Sequence, residues 1–370
     1  MKYWIKRLME RIKRLTQHFE RRRARTMSLV TLKDIAKEVG VSISAVSLVL
    51  NDRGDGRVNA EAASRIRAVA EELGYVPNLL AKGLKTKQSL TIGLLSDGVA
   101  STAFAGPMVA GAQTVAAEFG YLLMLIDTVG MTGLEAPAVK ALLQRNIEGL
   151  IIAPDYHAIV TLPRVPRSLP IVVLDGRPED PSMSDWVVPD ETGGGFTATR
   201  HLIEAGHHRI AMCNLDDKRY VATVLRRRGY EEALRTAGIV PDPSLHVLAK
   251  ELTAAAAKEA ALELLSRPNR PTAVFCFSDR LAFGVYQAAA QLGLRIPEDL
   301  SIVGFDNHAF VAESLLPGLT TVQLPHHDMG AWAARRLIER SQGTGEPGPV
   351  TSQLAHCPLV ERASVGPPRT

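Results

Sequence analysis

From Leu90 onward, continuous apolar runs alternate with amphipathic stretches, and this alternation constrains the fold more than any other feature of the 370-residue chain. Strand-like runs fall at 90–95, 121–126, 149–152, 171–174, 186–189, 209–213, 272–277 and 301–305. Helix-like stretches fall at 107–119, 135–145, 191–205, 220–237, 254–266, 279–292 and 326–341. A strand that is apolar at every position must be buried on both faces, which points to parallel sheets covered by crossover helices. Roughly 280 residues is large for one such sheet, so an α/β core of two doubly wound lobes is expected. The closing SVGPPRT reads as a frayed tail.

Ahead of the core stands VTLKDIAKEVGVSISAVSLVLN, residues 30–51. Leu32, Ile35, Ala36 and Val39 form one helical face, and Gly40 ends that helix because a residue without Cβ enters the left-handed region cheaply. Ser42 is a natural N-cap for a second helix with Ala45, Val46, Val49 and Leu50 inward and the short polar Ser44, Ser47 and Asn51 outward. This is the pattern of a helix-turn-helix, whose second helix lies in a DNA major groove; on spacing alone an αα-hairpin within a bundle stays open. Asn59 caps a third helix, Ala60 to Leu73, with Ala63, Ile66, Val69, Ala70 and Leu73 on one face and Gly74 at its end. Three short helices make a head of about 50 residues, marginal on its own. After Pro77, Asn78 to Leu84 can form two helical turns with Lys82, Lys85 and Lys87 interspersed, too short to stand without a partner surface.

The net charge of +4 is unevenly spread. Residues 1–27 carry ten Lys or Arg against two Glu, residues 28–90 carry nine against seven acids, and the remainder is left at −6. A basic head on an acidic body predicts an anionic partner for the head alone. Residues 1–27 have partial helical periodicity and suit an accessory DNA arm or a membrane-surface helix, but Met27 directly before the organised part favours an over-extended translation start, poorly ordered. No apolar run reaches the roughly 18 residues of a membrane span, and no secretory signal is evident. Cys213, Cys276 and Cys357 are far apart in sequence, without CxxC or zinc spacing, and the two in apolar strand-like runs, Cys213 and Cys276, read as buried thiols in a reducing cytoplasm.

Taken together, VTLKDIAKEVGVSISAVSLVLN, RVNAEAASRIRAVAEELGYVPNLLAKGL, HLIEAGHHRIAMC, RRRGYEEAL, PTAVFCFSDRLAFGVYQAAAQLGLRIPEDLSIVGFDN and GLTTVQLP, in this order and spacing, resemble the LacI/GalR family of bacterial transcriptional regulators. The resemblance covers Val30 to about Ser364. It implies an N-terminal helix-turn-helix headpiece (28–76), a hinge helix (77–89) and a two-lobed periplasmic-binding-protein-like core (90–365) of doubly wound parallel sheets. One lobe would comprise about 90–188 and 320–345, the other about 189–319 and 346–365. It also implies a homodimer on a palindromic double-stranded operator, acting as a repressor whose affinity a small-molecule effector, a sugar or sugar derivative, controls allosterically.

By the same resemblance, Ile43, Ser44 and Leu48 face base edges. The family often places a large polar or basic side chain there, notably Arg where Leu48 stands, and Leu48 can at most pack on a thymine methyl. Thr31, Ser42, Ser47 and Asn51 match phosphate-contacting or positioning residues, although Ser42 and Ser47 can equally be explained by capping and packing. Asn78, Leu84 and Lys85 match the hinge, where Leu84 would open a minor-groove step. Asp175, Arg226, Ser278, Asp279 and Asp306 match effector-binding positions, with Ser278 standing where many relatives have Asn and Asp279 also readable as a helix N-cap. Ser96, Asp97 and Phe104 are looser candidates.

No GxxxxGK, GxSxG or HExxH occurs, and GGG at 193–195 lacks dinucleotide spacing, so neither an enzyme nor a cofactor is expected. The pairs His207–His208 and His326–His327 suit surface or capping roles better than metal. A solute-binding protein without operator recognition is the competing reading, and the headpiece argues against it. The C-terminus has no zipper heptads, which predicts a dimer rather than a tetramer.

Overall fold

The computed structural model describes residues 30–76, 88–99, 105–131, 133–217, 219–343 and 348–369, and divides into two compact units at the Thr86–Lys87 boundary. Residues 1–27, the hinge positions Asn78, Leu84 and Lys85, and Phe104 lie outside the described residues.

In the first unit, α1 spans Leu32–Val39, α2 Ile43–Leu50 and α3 Ala60–Glu72. Thr31 opens α1 by donating both its N–H (2.8 Å) and its hydroxyl (2.6 Å) to the Asp34 carboxylate. These hydrogen bonds hold Asp34 below the ordinary carboxylate range. Gly40, at φ +77°, returns its N–H to the Ala36 carbonyl and turns the chain into α2. Ser42 Oγ accepts the Ala45 N–H (3.1 Å), so α2 begins where a cap is available. Asn59 caps α3 through Glu61 N–H. Ile35, Val46, Val49 and Ile66, at most 1% exposed, form the centre of the head, and Leu73 stays outside it at 38%.

The second unit contains two six-stranded sheets among the described residues. The first holds β1 (Thr91–Ser96), β2 (Leu122–Asp127), β3 (Leu150–Ala153), β5 (Ile171–Leu174), β7 (Asp185–Pro189) and β13 (Ser352–Ala355), all parallel, in the order β13-β7-β5-β3-β1-β2. The second holds β8 (Ile210–Leu215), β9 (His246–Ala249), β10 (Ala273–Cys276), β11 (Ser301–Asp306), β12 (Thr320–Gln323) and β14 (Leu359–Val360), in the order β14-β12-β11-β10-β8-β9, with β14 antiparallel at the edge. A small parallel pair, β4 (Ala158–Val160) and β6 (Gly176–Pro178), forms a separate two-stranded sheet.

Both faces of each sheet are covered, as the unbroken apolar strands require. On β1, Ile92 and Leu94 pack with one cluster that includes Met329, Ala333 and Leu337 of α11 (His326–Gln342), whereas Leu95 packs with Val139 and Leu142 of α5 (Glu135–Leu143) on the other side. In the second lobe, Met212 and Phe275 face Leu202 of α6 (Glu191–Glu204) and Tyr230 and Leu234 of α7 (Val221–Thr236). Cys213 and Cys276 face Ala257 of α8 (Ala254–Leu265) and Leu281 of α9 (Asp279–Gln291). All three cysteines are buried and none forms a disulfide.

The sheets correct two expectations. Strand 320–323 belongs to the second lobe and 352–355 to the first, the reverse of the expected division. Asp185 of β7 fixes this: its carboxylate takes Arg340 Nε and Nη2 (2.7 and 2.9 Å), Arg336 Nε (3.1 Å) and the Thr351 N–H (2.5 Å), pinning the returning chain to the first sheet's edge. Nor is the C-terminus frayed. Ser364 is fully buried and bridges Ile302 O and Thr320 N–H. Gly366 accepts from the buried His207–Ser301 pair, and Arg369 reaches Asp299 (2.6 Å). Among the described residues no helix is long and apolar enough to cross a membrane.

Because the head has so small a core, Ile66→Ala should cost about 2–5 kcal/mol. Thermal unfolding followed by circular dichroism should show an early loss of helix with the main transition of the core unmoved.

Candidate functional site

In the head, α2 presents a mixed surface. Ile43 is 48% exposed, Ser44 and Asn51 are exposed, and Ser47 and Leu48 are half-buried. Ser42 is occupied as a cap acceptor, Thr31 donates to Asp34, and Asn51 Nδ2 donates to Ser47 O (2.7 Å), so the capping expectation for Ser42 holds and the polar groups on this face are oriented by the helix itself.

In the core, a cavity of about 310 Å³ opens where the C-terminal ends of both sheets converge. The first lobe contributes Asp155, Tyr156 and His157 after β3, Asp175 after β5 and His326 at the start of α11. The second contributes Arg226 of α7, Phe277 and Ser278 after β10 and Asp306 at the end of β11. Glu191 opens α6 where the chain crosses between them. Tyr156 and Tyr220 stack across the lobes, ring centroids 4.4 Å apart, and Tyr220 meets Phe277 edge-on at 6.3 Å.

Arg226 is the hub. Its Nε donates to Glu191 Oε2 (2.6 Å), its Nη1 donates to the Phe277 carbonyl and approaches Asp306 Oδ1 (3.5 Å), and the guanidinium lies over the rings of Phe305 (3.6 Å) and Phe277 (4.5 Å). The R-x-x-G-Y motif explains how it gets there. Gly229, one turn beyond Arg226, lies against the backbone of Thr192 and Phe196, and Gly195 lies against the backbone of Arg226, so a Cβ at either would force α6 and α7 apart. That close crossing brings Arg226 beside Glu191.

The titration behaviour follows from burial and from this hub. Burial by itself would raise Glu191; Arg226 and His157 outweigh it and hold the acid down at about 2. Asp175 has no such partner. Burial pushes it up to about 7, with Glu191 and Asp155 adding to the rise and His157 and Arg226 opposing it, and its Oδ1 makes no hydrogen bond to the protein. Asp155 is raised by burial and by the charges of Asp97 and Asp127. His326 is held down to about 4 by burial, against the pull of Glu191. Asp175 (φ +57°) and Asp306 (φ +117°) are both left-handed without being glycine, strain of about 1–3 kcal/mol each of the kind that concentrates at working sites.

Of the five core residues singled out in the sequence, Asp175, Arg226, Ser278 and Asp306 line the cavity and Asp279 does not. Ser278, not Asp279, caps α9, through Leu281 N–H. Asp279 is fully buried behind the wall and accepts from the Thr321 hydroxyl (2.5 Å) and the His308 N–H (2.6 Å), which braces the left-handed turn that carries Asp306. Asp97 accepts from Thr128 and Gly130, and Ser96 is buried, so both stand off the cavity. His326 corrects the expectation of a surface histidine: it is buried in the wall, while His207 is a structural hydrogen-bonding hub. Glu191, Asp155, Tyr156, His157 and Tyr220 were missed. Glu191 looks like an ordinary first-turn acid, and only the need of a buried Arg226 for a counter-charge could have found it; the tyrosines stand out only as loop aromatics in a chain that is 5% aromatic. Among the described residues no group of three His, Cys, Asp or Glu is placed to hold a metal ion.

Asp175 makes stability depend on pH. An acid with a raised folded pKa takes up a proton on folding, so its contribution falls as pH rises from the ordinary carboxylate range to about 7 and is level above that. Relative to the native chain, Asp175→Asn should gain about 3 kcal/mol between roughly pH 5 and pH 7.5 in urea unfolding; a parallel pH dependence of the two proteins would show Asp175 to be ordinary.

Comparison with known proteins agrees with this architecture. Residues 31–78 match the model for bacterial regulatory proteins of the lacI family, and residues 199–365 match that for a periplasmic binding protein-like domain. The chain is 32% identical over 340 residues to the HTH-type transcriptional repressor PurR of Vibrio atlanticus, covering 91% of this chain and 99% of that one. It is 34% identical over 319 residues to the ribose operon repressor of Escherichia coli K12, covering 84% and 93%. Among solved structures, the lac repressor dimer bound to operator and the anti-inducer ONPF matches with a TM-score of 0.72 at 27% identity, over 92% of this chain and all of that one. The regulator CelR in complex with cellobiose matches at 0.63 and 30%, over 90% and 99%. With a helix-turn-helix head, a two-lobed core and similarity along nearly its whole length, this chain belongs to the LacI family of bacterial DNA-binding transcriptional regulators.

Proposed function

We propose that this regulator is a homodimeric repressor whose grip on a palindromic operator is set by a sugar or sugar derivative held in the interlobe cavity. The observation that carries the reading is Arg226, buried between Glu191 and Asp306 at the meeting of both lobes and beside the Tyr156–Tyr220–Phe277 wall. Fixed planar hydrogen-bonding groups beside aromatic faces suit a ring with polar edges and apolar faces. The volume is at the low end of ligand sites, fitting one or two sugar rings. Relatives named for the ribose operon and solved with cellobiose or ribose favour the same class.

In this reading Asp175, Arg226, Ser278 and Asp306 hold the effector, and Asp279 positions Asp306. On the DNA side Ile43, Ser44 and Leu48 face base edges, with Ile43 and Leu48 matched to thymine methyls. Thr31, Ser42, Ser47 and Asn51 attend to phosphates. Asn78, Leu84 and Lys85 form the hinge contact with the minor groove. Because the cavity is lined by both lobes, a ligand that fits one interlobe arrangement better than another shifts the population between them, and the paired hinges respond. A typical coupling of 1–3 kcal/mol changes operator affinity by roughly 5–150-fold.

The test is selection of duplex DNA from a random pool by the full chain, followed by gel-shift titration. An enriched palindrome is expected; retention of random DNA without enrichment would contradict operator recognition. Removing Arg226 alone would strand the buried Glu191 charge at a cost of about 3–5 kcal/mol, so the informative variant is Arg226→Ala with Glu191→Gln. It should bind the selected operator as the native chain does and lose any response to effector; unchanged effector affinity would remove Arg226 from the site.

A further inference from the structure

The acids around the cavity outnumber its permanent cations. Its lining carries Asp155, Asp175, Glu191 and Asp306 against Arg226, Arg280 and His157, whose Nδ1 lies 3.8 Å from Glu191 Oε1; burial raises Asp175 to about 7 and Asp306 well above the ordinary carboxylate range, so the four do not all ionise together without a further cation. Arg226 is already committed to Glu191, the Phe277 carbonyl and Asp306. Arg280 is exposed and turns to the Leu252 carbonyl (3.3 Å). Among the described residues neither Asp155 nor Asp175 makes an ion pair, and Asp175, 5% exposed, leaves Oδ1 without any hydrogen bond. The negative charge of Asp155 adds to the rise of Asp175 and also acts on Tyr220. His326, held down to about 4, brings no positive charge at neutral pH. Both ring nitrogens of His157, also 5% exposed, are without hydrogen bonds.

We infer that the effector carries a protonated amine, the fitting class being an amino sugar, whose ammonium group is held by Asp155 and Asp175 beside the Tyr156–Tyr220–Phe277 wall. This rests on the cavity being the effector site. A neutral sugar satisfies hydrogen bonds and leaves both acids without a cation; a phosphorylated or carboxylated sugar adds negative charge beside Asp155 and Asp175, with only the exposed Arg280 and His157 to meet it. An ammonium group gives these acids a cationic partner and is attracted by the faces of the neighbouring rings as well. The sugar hydroxyls then fall to Arg226, Asp306 and Ser278.

Calorimetric titration of the full chain at about pH 6, where a sugar amine is protonated, tests this with matched probes. Glucosamine, galactosamine, mannosamine and the glucosamine disaccharide are compared with glucose, galactose, mannose and cellobiose, and with the hexose 6-phosphates. At least one amine should bind about tenfold or more tighter than its neutral parent. Its binding should also release protons, seen as a heat that changes with the buffer, because a cation beside Asp175 drives that carboxyl to ionise against Glu191 and Asp155, with Arg226 and His157 as the other charged or titratable neighbours. Asp175→Asn and Asp155→Asn should each reduce the preference to within about threefold, while operator binding reports that the variants are folded. A neutral or phosphorylated member binding as tightly as its amine overturns the inference and leaves the effector reading intact; silence from all three classes overturns both.

Discussion

A guanidinium group buried beside a carboxylate is the interaction on which the core's organisation depends. Arg226 and Glu191 are respectively 4% and 2% exposed. Taking either charge out of water alone costs several kcal/mol, and only close geometry with further hydrogen bonds offsets it. The chain supplies that geometry with the Phe277 carbonyl, Asp306 and two ring faces. To bring the partners together, α6 and α7 must cross backbone to backbone, which is why glycines stand at 195 and 229. To aim Asp306, β11 must end in a left-handed turn, which is why Asp279 is buried behind it and why Gly304, against which that carboxylate rests, has no side chain. Strain and buried charge are thus concentrated around one cavity, and the two cores that flank it are apolar on both faces of each sheet.

The architecture was largely legible because it rests on repeating patterns. Unbroken apolar runs specify strands covered on both sides, and Gly40, Ser42 and Asn59 mark helix ends through their own backbone and side-chain chemistry. What escaped were elements without such a pattern. β13 has three exposed residues of four and is held by Asp185 and two arginines far along the chain, so nothing local tells which sheet it joins. Ser364 looks like the start of a polar tail, yet it fills a bridge between β11 and β12.

The cavity was half legible for a related reason. Asp175, Arg226, Ser278 and Asp306 follow strands or sit in a recognisable motif. Glu191 is set apart only by its distant partner, and the roles of Ser278 and Asp279 depend on which side of one residue the helix begins. The second helix of the head was legible as a helix, with its cap at Ser42 and its inward face at Val46 and Val49.

If one small ligand in this cavity and one operator on the heads share a coupling free energy, linkage makes that coupling measurable from both ends. The dissociation constant of the operator should be measured with and without saturating effector, and that of the effector with and without saturating operator. Both should change by the same factor, in the range of roughly 5–150-fold. A ligand that occupies the cavity while leaving operator affinity unchanged would contradict the coupling.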